Sequence, residues 1–303
     1  MAEQSPAVAA RARPIRGPMM GLSRAIVVVV IILTTGVAAY AQQPSPQEAL
    51  KEINSLGWQN YPSVGIIGNE AQIRLSNGVR FLDAKNTSRF LELNGNLPTS
   101  NAYTIAPPGY SWFAIFEFDA VGYVKDDDKI DPNELLNTLK EQNEATIEER
   151  RKRGLEILHL TGWFVEPHYD LQTKRLEWGT RLVSDKNEVT VNYSIRILGR
   201  TGVMRAVLVS DPDNLQKDIQ TFRTVLQGFD FVPGQQYAEF KQGDKVAEYG
   251  LAALIVGGAA AVAAKSGLGK ALFKFIGIGA LAAFAAVVGF FKRLFGSRKQ
   301  NQN

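Results

Sequence analysis

Histidine is the first residue type to weigh for chemistry, because the chain contains no cysteine and only two histidines, His159 and His168. Without cysteine there is no thiol nucleophile, no thiolate metal ligand and no disulfide. The two histidines form no H-E-x-x-H pair or other close ligand spacing. His168 lies in Glu166-Pro167-His168-Tyr169-Asp170. That string offers a base with a carboxylate two residues on, on what reads as a turn, and it lacks a nucleophile. Gly109-Tyr110-Ser111-Trp112-Phe113 lacks the second glycine of a nucleophile elbow.

The acidic run from Asp126 to Glu134 imitates half of a calcium loop. If Glu134 were the bidentate ligand, Tyr123 and Lys125 would occupy ligand positions and Asp128 the place of the obligatory glycine. The run therefore reads as an acidic turn that leads into a helix cap. Gly269-Lys270 matches a phosphate loop in two residues alone, because Ala264 and Ala271 stand where glycine and Ser/Thr are required. Loose carboxylates such as Glu117 and Asp119 keep a hydrolase in view, but no pair of them is marked by spacing. We therefore assign no catalytic, cofactor-binding or metal-binding residues from the sequence, and no cofactor. Trp58, Trp112, Trp163 and Trp178 have two readings, an aromatic binding surface or core packing. Core packing is preferred because Trp112 and Trp178 lie on strands that read as buried.

The elements that must position these residues form an α+β pattern. Residues 47–56 read as a helix. Residues 71–75 and 79–82 flank Ser76-Asn77-Gly78, a hairpin signal. A helix over 87–94 follows, then a strand over 112–118 that is apolar on both faces, continued by residues 121–125. Asp131-Pro132-Asn133-Glu134 opens a long helix expected to reach Leu158, with acid–base pairs Glu148/Lys152 and Glu149/Arg153 four residues apart. Leu176, Trp178, Thr180 and Leu182 alternate with Arg175, Glu177 and Arg181. Val189, Val191, Tyr193, Ile195 and Ile197 alternate with polar residues, which predicts an antiparallel sheet with one wet side. A turn at 199–202 returns the chain along 203–210. Asp211-Pro212 is expected to cap a helix whose face is Leu215, Ile219, Phe222 and Leu226. Strands, helix, strands, helix favour a mainly antiparallel sheet flanked by helices over a parallel α/β fold.

The two ends give the address. Residues 25–39 are apolar, follow Arg11, Arg13, Arg16 and Arg24, and lead into Ala39-Tyr40-Ala41. That is a secretory signal over residues 1–41. Residues 42–249 form the exported domain. Residues 250–291 are apolar, have no acidic residue, and read as a C-terminal membrane segment. Its second half, 275–291, is long enough to cross a bilayer. Residues 292–303 are a basic tail. Two topologies stay open: a single span that leaves the tail in the cytoplasm, as the positive-inside tendency prefers, and a hairpin of two short helices. On this reading a chain that ends at residue 249 retains a folded domain.

Charge follows the same division. The chain carries 34 basic and 30 acidic residues, for a net +4. Setting aside four basic and one acidic residue in 1–41, and seven basic in 250–303, leaves 23 basic and 29 acidic residues in 42–249, a net −6. An acidic exported domain is a poor partner for nucleic acid.

Several strings also carry a family likeness: Gly162-Trp163, Tyr169-Asp170, Leu176-Glu177-Trp178, Val191-Asn192-Tyr193, Leu198-Gly199-Arg200-Thr201-Gly202, and Gly243-Asp244-Lys245 before Tyr249-Gly250-Leu251. With these the chain resembles the bacterial family of predicted membrane-anchored proteins known as domain of unknown function 2167. The resemblance runs from about residue 50 to the C-terminal anchor. It implies a bacterial envelope location and brings no reaction, ligand or site residue. The expected role is non-enzymatic: a periplasmic domain, held at the inner membrane, that binds or organises another envelope protein. An envelope hydrolase with an unrecognised carboxylate site and a small subunit of an inner-membrane complex are the alternatives.

Overall fold

In the computed structural model, residues 45–94, 98–152 and 157–257 are described. The expected signal at 1–41, the tail at 292–303 and most of the membrane segment lie outside them. Among the described residues no helix is long and apolar enough to cross a membrane.

Two antiparallel sheets organise the fold. The large one has eight strands, in the order β1 (Gln59–Asn60), β4 (Arg80–Leu82), β5 (Ala102–Ala106), β6 (Trp112–Asp119), β10 (Val203–Ser210), β9 (Val189–Leu198), β8 (Arg175–Ser184) and β7 (Leu158–Asp170). The small one runs β11 (Phe229–Phe231), β3 (Ala71–Arg74), β2 (Val64–Ile67). Every pair of neighbouring strands is antiparallel, so the α+β class expected from the sequence holds.

The first three helices begin where the sequence supplies side-chain acceptors for free backbone N–H groups. Helix α1 (Pro46–Ser55) starts in a capping box between Ser45 and Glu48. Helix α2 (Ala84–Leu93) is capped by Asp83. For α3 (Pro132–Lys152), Asp131 Oδ1 accepts from the N–H groups of Asn133 and Glu134 at 2.9 and 3.1 Å, and Glu148 pairs with Lys152 at 3.0 Å. Leu158 opens β7 and does not end the helix. Helix α4 (Leu215–Val225) has Asn214 at its cap. Asp211 instead folds the preceding turn, accepting from Asp213 and Asn214.

One face of the large sheet packs on α4 and the small sheet. Trp112, Phe116, Tyr193, Ile195 and Met204 meet Ile73, Leu215, Ile219, Phe222 and Phe229 there. The other face carries two separate covers. Phe113 and Val209 pack with Ile53 and Phe90 of α1 and α2. Leu176, Trp178, Leu198 and Val203 pack with Leu135 of α3 and with Leu251, Leu254 and Ile255 of α5 (Leu251–Val256). The described start of the expected membrane segment is thus part of the domain core.

Four further expectations need correction. Residues 71–75 and 79–82 are strands around a real turn, with Gly78 at φ +80, but they form no hairpin. Both edges of β3 are taken by β2 and β11, while β4 pairs with β1 and β5. The turn carries the chain from one sheet to the other. Residues 121–125 do not extend the sheet; Tyr123 makes one parallel bridge, to Val246. The turn expected at 166–170 is strand, and the chain reverses after it, where Asp170 Oδ1 accepts from Gln172 and Thr173. Finally, the sheet has no fully wet side at β8 and β9. Glu177, Thr190 and Ser194 are buried, because both faces there are covered.

Candidate binding surface

The residues singled out by type are placed apart. His159, on β7, pairs with Asp185 at 2.9 Å, and both side chains are exposed. His168 does not meet Asp170. Its Nε2 lies 3.8 Å from Glu177 Oε2, across the β7–β8 ladder. Glu177 is the centre of a polar cluster. Its Oε2 accepts from Tyr193 Oη at 2.5 Å and from Arg223 Nε and Nη2 at 2.9 and 2.7 Å. Burial, then the Glu177 charge, pushes the Tyr193 phenol well above its usual range, so it stays a donor. Burial opposes the Arg223 charge, but its bonds to Glu177 outweigh that and hold the guanidinium above its usual range. A carboxylate so committed to a cation and a phenol ties α4 to the sheet. By alternation Glu177 falls on a polar strand face; nothing in that local pattern reveals the Arg223 partner, which lies 46 residues along the chain.

The acidic turn is likewise structural. Asp126 Oδ2 accepts from Tyr169 Oη at 2.9 Å and from Lys174 Nζ at 2.8 Å. Burial opposes the Asp126 charge, but Lys174 and Tyr169 outweigh it and hold the carboxyl below its usual range. Among the described residues no group of three or more His, Asp or Glu is arranged to hold a metal ion. Ser111 sits exposed on a bend. Gly269-Lys270 lies outside the described residues. Glu117 and Asp119 lie on one face of β6 at its end, with Glu117 Oε2 3.6 Å from Arg205 Nη1.

The tryptophans pack inward. Trp112 and Trp178 are buried. Trp58 donates to the Ile53 carbonyl at 2.8 Å and meets Phe90 edge-on, and Trp163 donates to the Pro132 carbonyl at 3.0 Å. The aromatic binding surface first considered is therefore not formed by these four residues.

An apolar surface does exist, elsewhere. Strand β2 is the outer strand of the small sheet. Along it exposure alternates, with Gly65 and Ile67 buried and Val64 and Ile66 exposed at 42% and 56%. Tyr61, just before it, is 54% exposed. Leu75 N–H donates to the Ser63 carbonyl at 2.9 Å, so Ser63 faces β3. By the alternation of an antiparallel ladder, Gly65 and Ile67 also direct their backbone groups to β3, and Val64 and Ile66 direct theirs to the free edge. The same two residues thus present exposed side chains and outward N–H and C=O groups. The exposed Arg74–Asp230 ion pair, 2.8 Å, flanks them on the outer face. Natural edge strands are usually blunted by lysine, proline or a bulge, and this one carries none within Val64–Ile67. No motif in the sequence marks residues 61–67. Val-Gly-Ile-Ile is apolar at both parities, so its pattern does not say which face is wet.

A family model described as a protein of unknown function, DUF2167, matches residues 59–290. No curated protein matches the chain. Among solved structures, cyanobacterial PsbP (CyanoP) from Synechocystis sp. PCC 6803 is similar at 11% identity and a TM-score of 0.34, covering 58% of this chain and 93% of that one. At that TM-score the likeness carries no argument about fold or function.

Proposed function

We propose, from the premise that the chain belongs to the DUF2167 family of proteins of unknown function, that it is a non-enzymatic binding protein of the bacterial envelope. In this reading residues 1–41 direct export, and the stretch after Gly257 anchors the chain in the inner membrane as one span or a hairpin. The domain faces the periplasm. The observation that carries the binding role is the β2 edge. Val64 and Ile66 offer both apolar side chains and unpaired backbone groups, the combination by which an extended segment adds to a sheet. The expected partner is another envelope protein that supplies such a segment, and the bilayer is the second contact. A domain tethered to a membrane meets its neighbours there at raised effective concentration.

Two measurements test this. Protease added to spheroplasts should digest residues 42–249 while a cytoplasmic control survives; protection of both would refute the periplasmic location. A photo-crosslinking side chain at Ile66 should capture one discrete membrane-fraction protein in cells, and the same side chain at Lys217 on α4 should not.

A further inference from the structure

The outward part of the β2 edge is bounded at both ends. Outward positions recur every second residue, so beyond Val64 and Ile66 the next ones are Pro62 on one side and Gly68 on the other. Pro62 has no N–H to donate. Gly68, at φ +58, turns the chain out of β2 toward β3. The stretch that an added strand can use is therefore centred on Gly65. A Cβ at Gly65 would lie 2.5 Å from Phe81 Cδ2, because the Phe81 ring of β4 packs against the backbone there. The outer face is arranged in rows across the small sheet. Val64 lies beside Arg74, and Ile66 lies beside Gln72 and then Asp230.

Resting on the reading of β2 as the binding edge, we propose that the strand added there is β2 of a second copy of this chain. The two strands run antiparallel about a two-fold axis at Gly65. Val64 of each copy then stands opposite Ile66 of the other, and each such pair exchanges two backbone hydrogen bonds. That register uses every outward N–H and C=O of Val64 and Ile66. Its neighbours do not. An axis at Ile66 sets Val64 against Gly68, where the chain is already turning. An axis at Val64 sets Ile66 against Pro62, which lacks the donor. With the axis at Gly65 the two glycines face each other at the close, non-hydrogen-bonded spacing, and no side chain stands between them. On the outer face Val64 and Ile66 of both copies join in one apolar cluster. The row that ends in Arg74 on one copy continues into the row that ends in Asp230 on the other, so no like charges oppose across the junction. A junction this short is small beside the roughly 1,200–2,000 Å² of a stable interface. Two copies anchored in one membrane meet at raised effective concentration, which suits it.

The test uses the full chain in cell membranes. The chain has no cysteine, so introduced thiols are its only ones. Val64→Cys and Ile66→Cys, at exposed positions, are made on separately tagged copies, expressed alone or together, and oxidised. Opposed residues of a hydrogen-bonded pair have Cα atoms about 5.5 Å apart, within the reach of a disulfide, whereas diagonal ones lie about 7–8 Å apart, at or beyond its limit. The mixed pair should therefore give at least tenfold more disulfide-linked dimer than either variant alone. Lys217→Cys, exposed on α4, should give none. A photo-crosslinking side chain at Ile66 should link the two differently tagged copies to each other. Mixed and single variants that dimerise equally, or not at all, would overturn the pairing. An Ile66 adduct with a different protein alone would overturn the second copy as occupant and leave the β2 edge as the binding site. No Ile66 adduct of any kind would overturn both.

Discussion

Ending the chain at residue 249 should unfold the domain, and ending it at 257 should not. Between those points lies α5, with Leu251, Leu254 and Ile255 at 1%, 7% and 6% exposure. They share a core with Leu135, Trp178, Leu198 and Val203. Burying one such side chain stabilises by about 1.5–3 kcal/mol, so losing three removes roughly 5–9 kcal/mol. Domains of this kind have about 5–15 kcal/mol in total. The carbonyl of Val256, which accepts from Gln142 Nε2 at 3.3 Å, is lost as well. Within a chain that ends at 257, Leu251→Ala should cost about 2–5 kcal/mol. With a urea dependence of about 2–3 kcal/mol per molar for a domain of this size, the midpoint falls by about 0.7–2.5 M. Urea unfolding followed by tryptophan fluorescence and circular dichroism measures all three chains, and Trp178 reports from inside the affected core. A 249 chain that unfolded cooperatively with a urea midpoint within about 0.3 M of the 257 chain would show that α5 contributes no packing and would refute this account.

Three further perturbations probe other parts of the fold. Glu177→Gln leaves Arg223 without its charge partner; because that arginine is one-third exposed, the cost should be about 2–3 kcal/mol, below that of a fully buried pair, and Tyr193→Phe should cost only about 1 kcal/mol, both read from urea midpoints. Hydrogen bonds from Arg200, then the Lys241 N–H, hold the Asp244 carboxyl down to about 2 from 3.8. A depressed folded value means its contribution is complete above pH 4 and is lost as pH falls toward 2; the melting temperature of Asp244→Asn should therefore vary less over that window, and parallel curves would contradict the assignment. A Cβ at Gly202 would lie 2.2 Å from the Asp119 carbonyl oxygen, whereas one at Gly162 meets nothing within 4 Å. Gly202→Ala should thus cost about 1–3 kcal/mol and Gly162→Ala within about 0.5 kcal/mol, and equal melting temperatures would refute the difference.

Local signals in the sequence reported local facts well. The Asp131 cap, the apolar face of α4 and the strand β9 are all legible because each depends on residues a turn or less away. What failed depends on distant partners. Asn77-Gly78 makes the turn its type demands, yet the strands around it part because β11, which lies 156 residues away at the Arg74–Asp230 contact, claims the edge of β3. Glu177 reads as a solvent residue until α4 brings Arg223 to it. Residues 251–256 read as the start of a uniformly apolar segment, and composition does not separate helix that packs on a domain from helix that packs in lipid. The β2 edge was invisible for the related reason that apolar residues on both faces of a strand hide which face lost its cover.

The binding role rests on backbone pairing at β2, and a proline tests it most directly. The Ile66 N–H points to the free edge, so Ile66→Pro removes a donor that β3 does not use but that an added strand requires. With a photo-crosslinking side chain at Tyr61, the native sequence should give one discrete adduct in cells. The Ile66→Pro chain should give at least tenfold less, while its domain melts within a few degrees of the native one. An undiminished adduct in the Ile66→Pro chain, or no adduct from Tyr61 in the native sequence, would contradict the account.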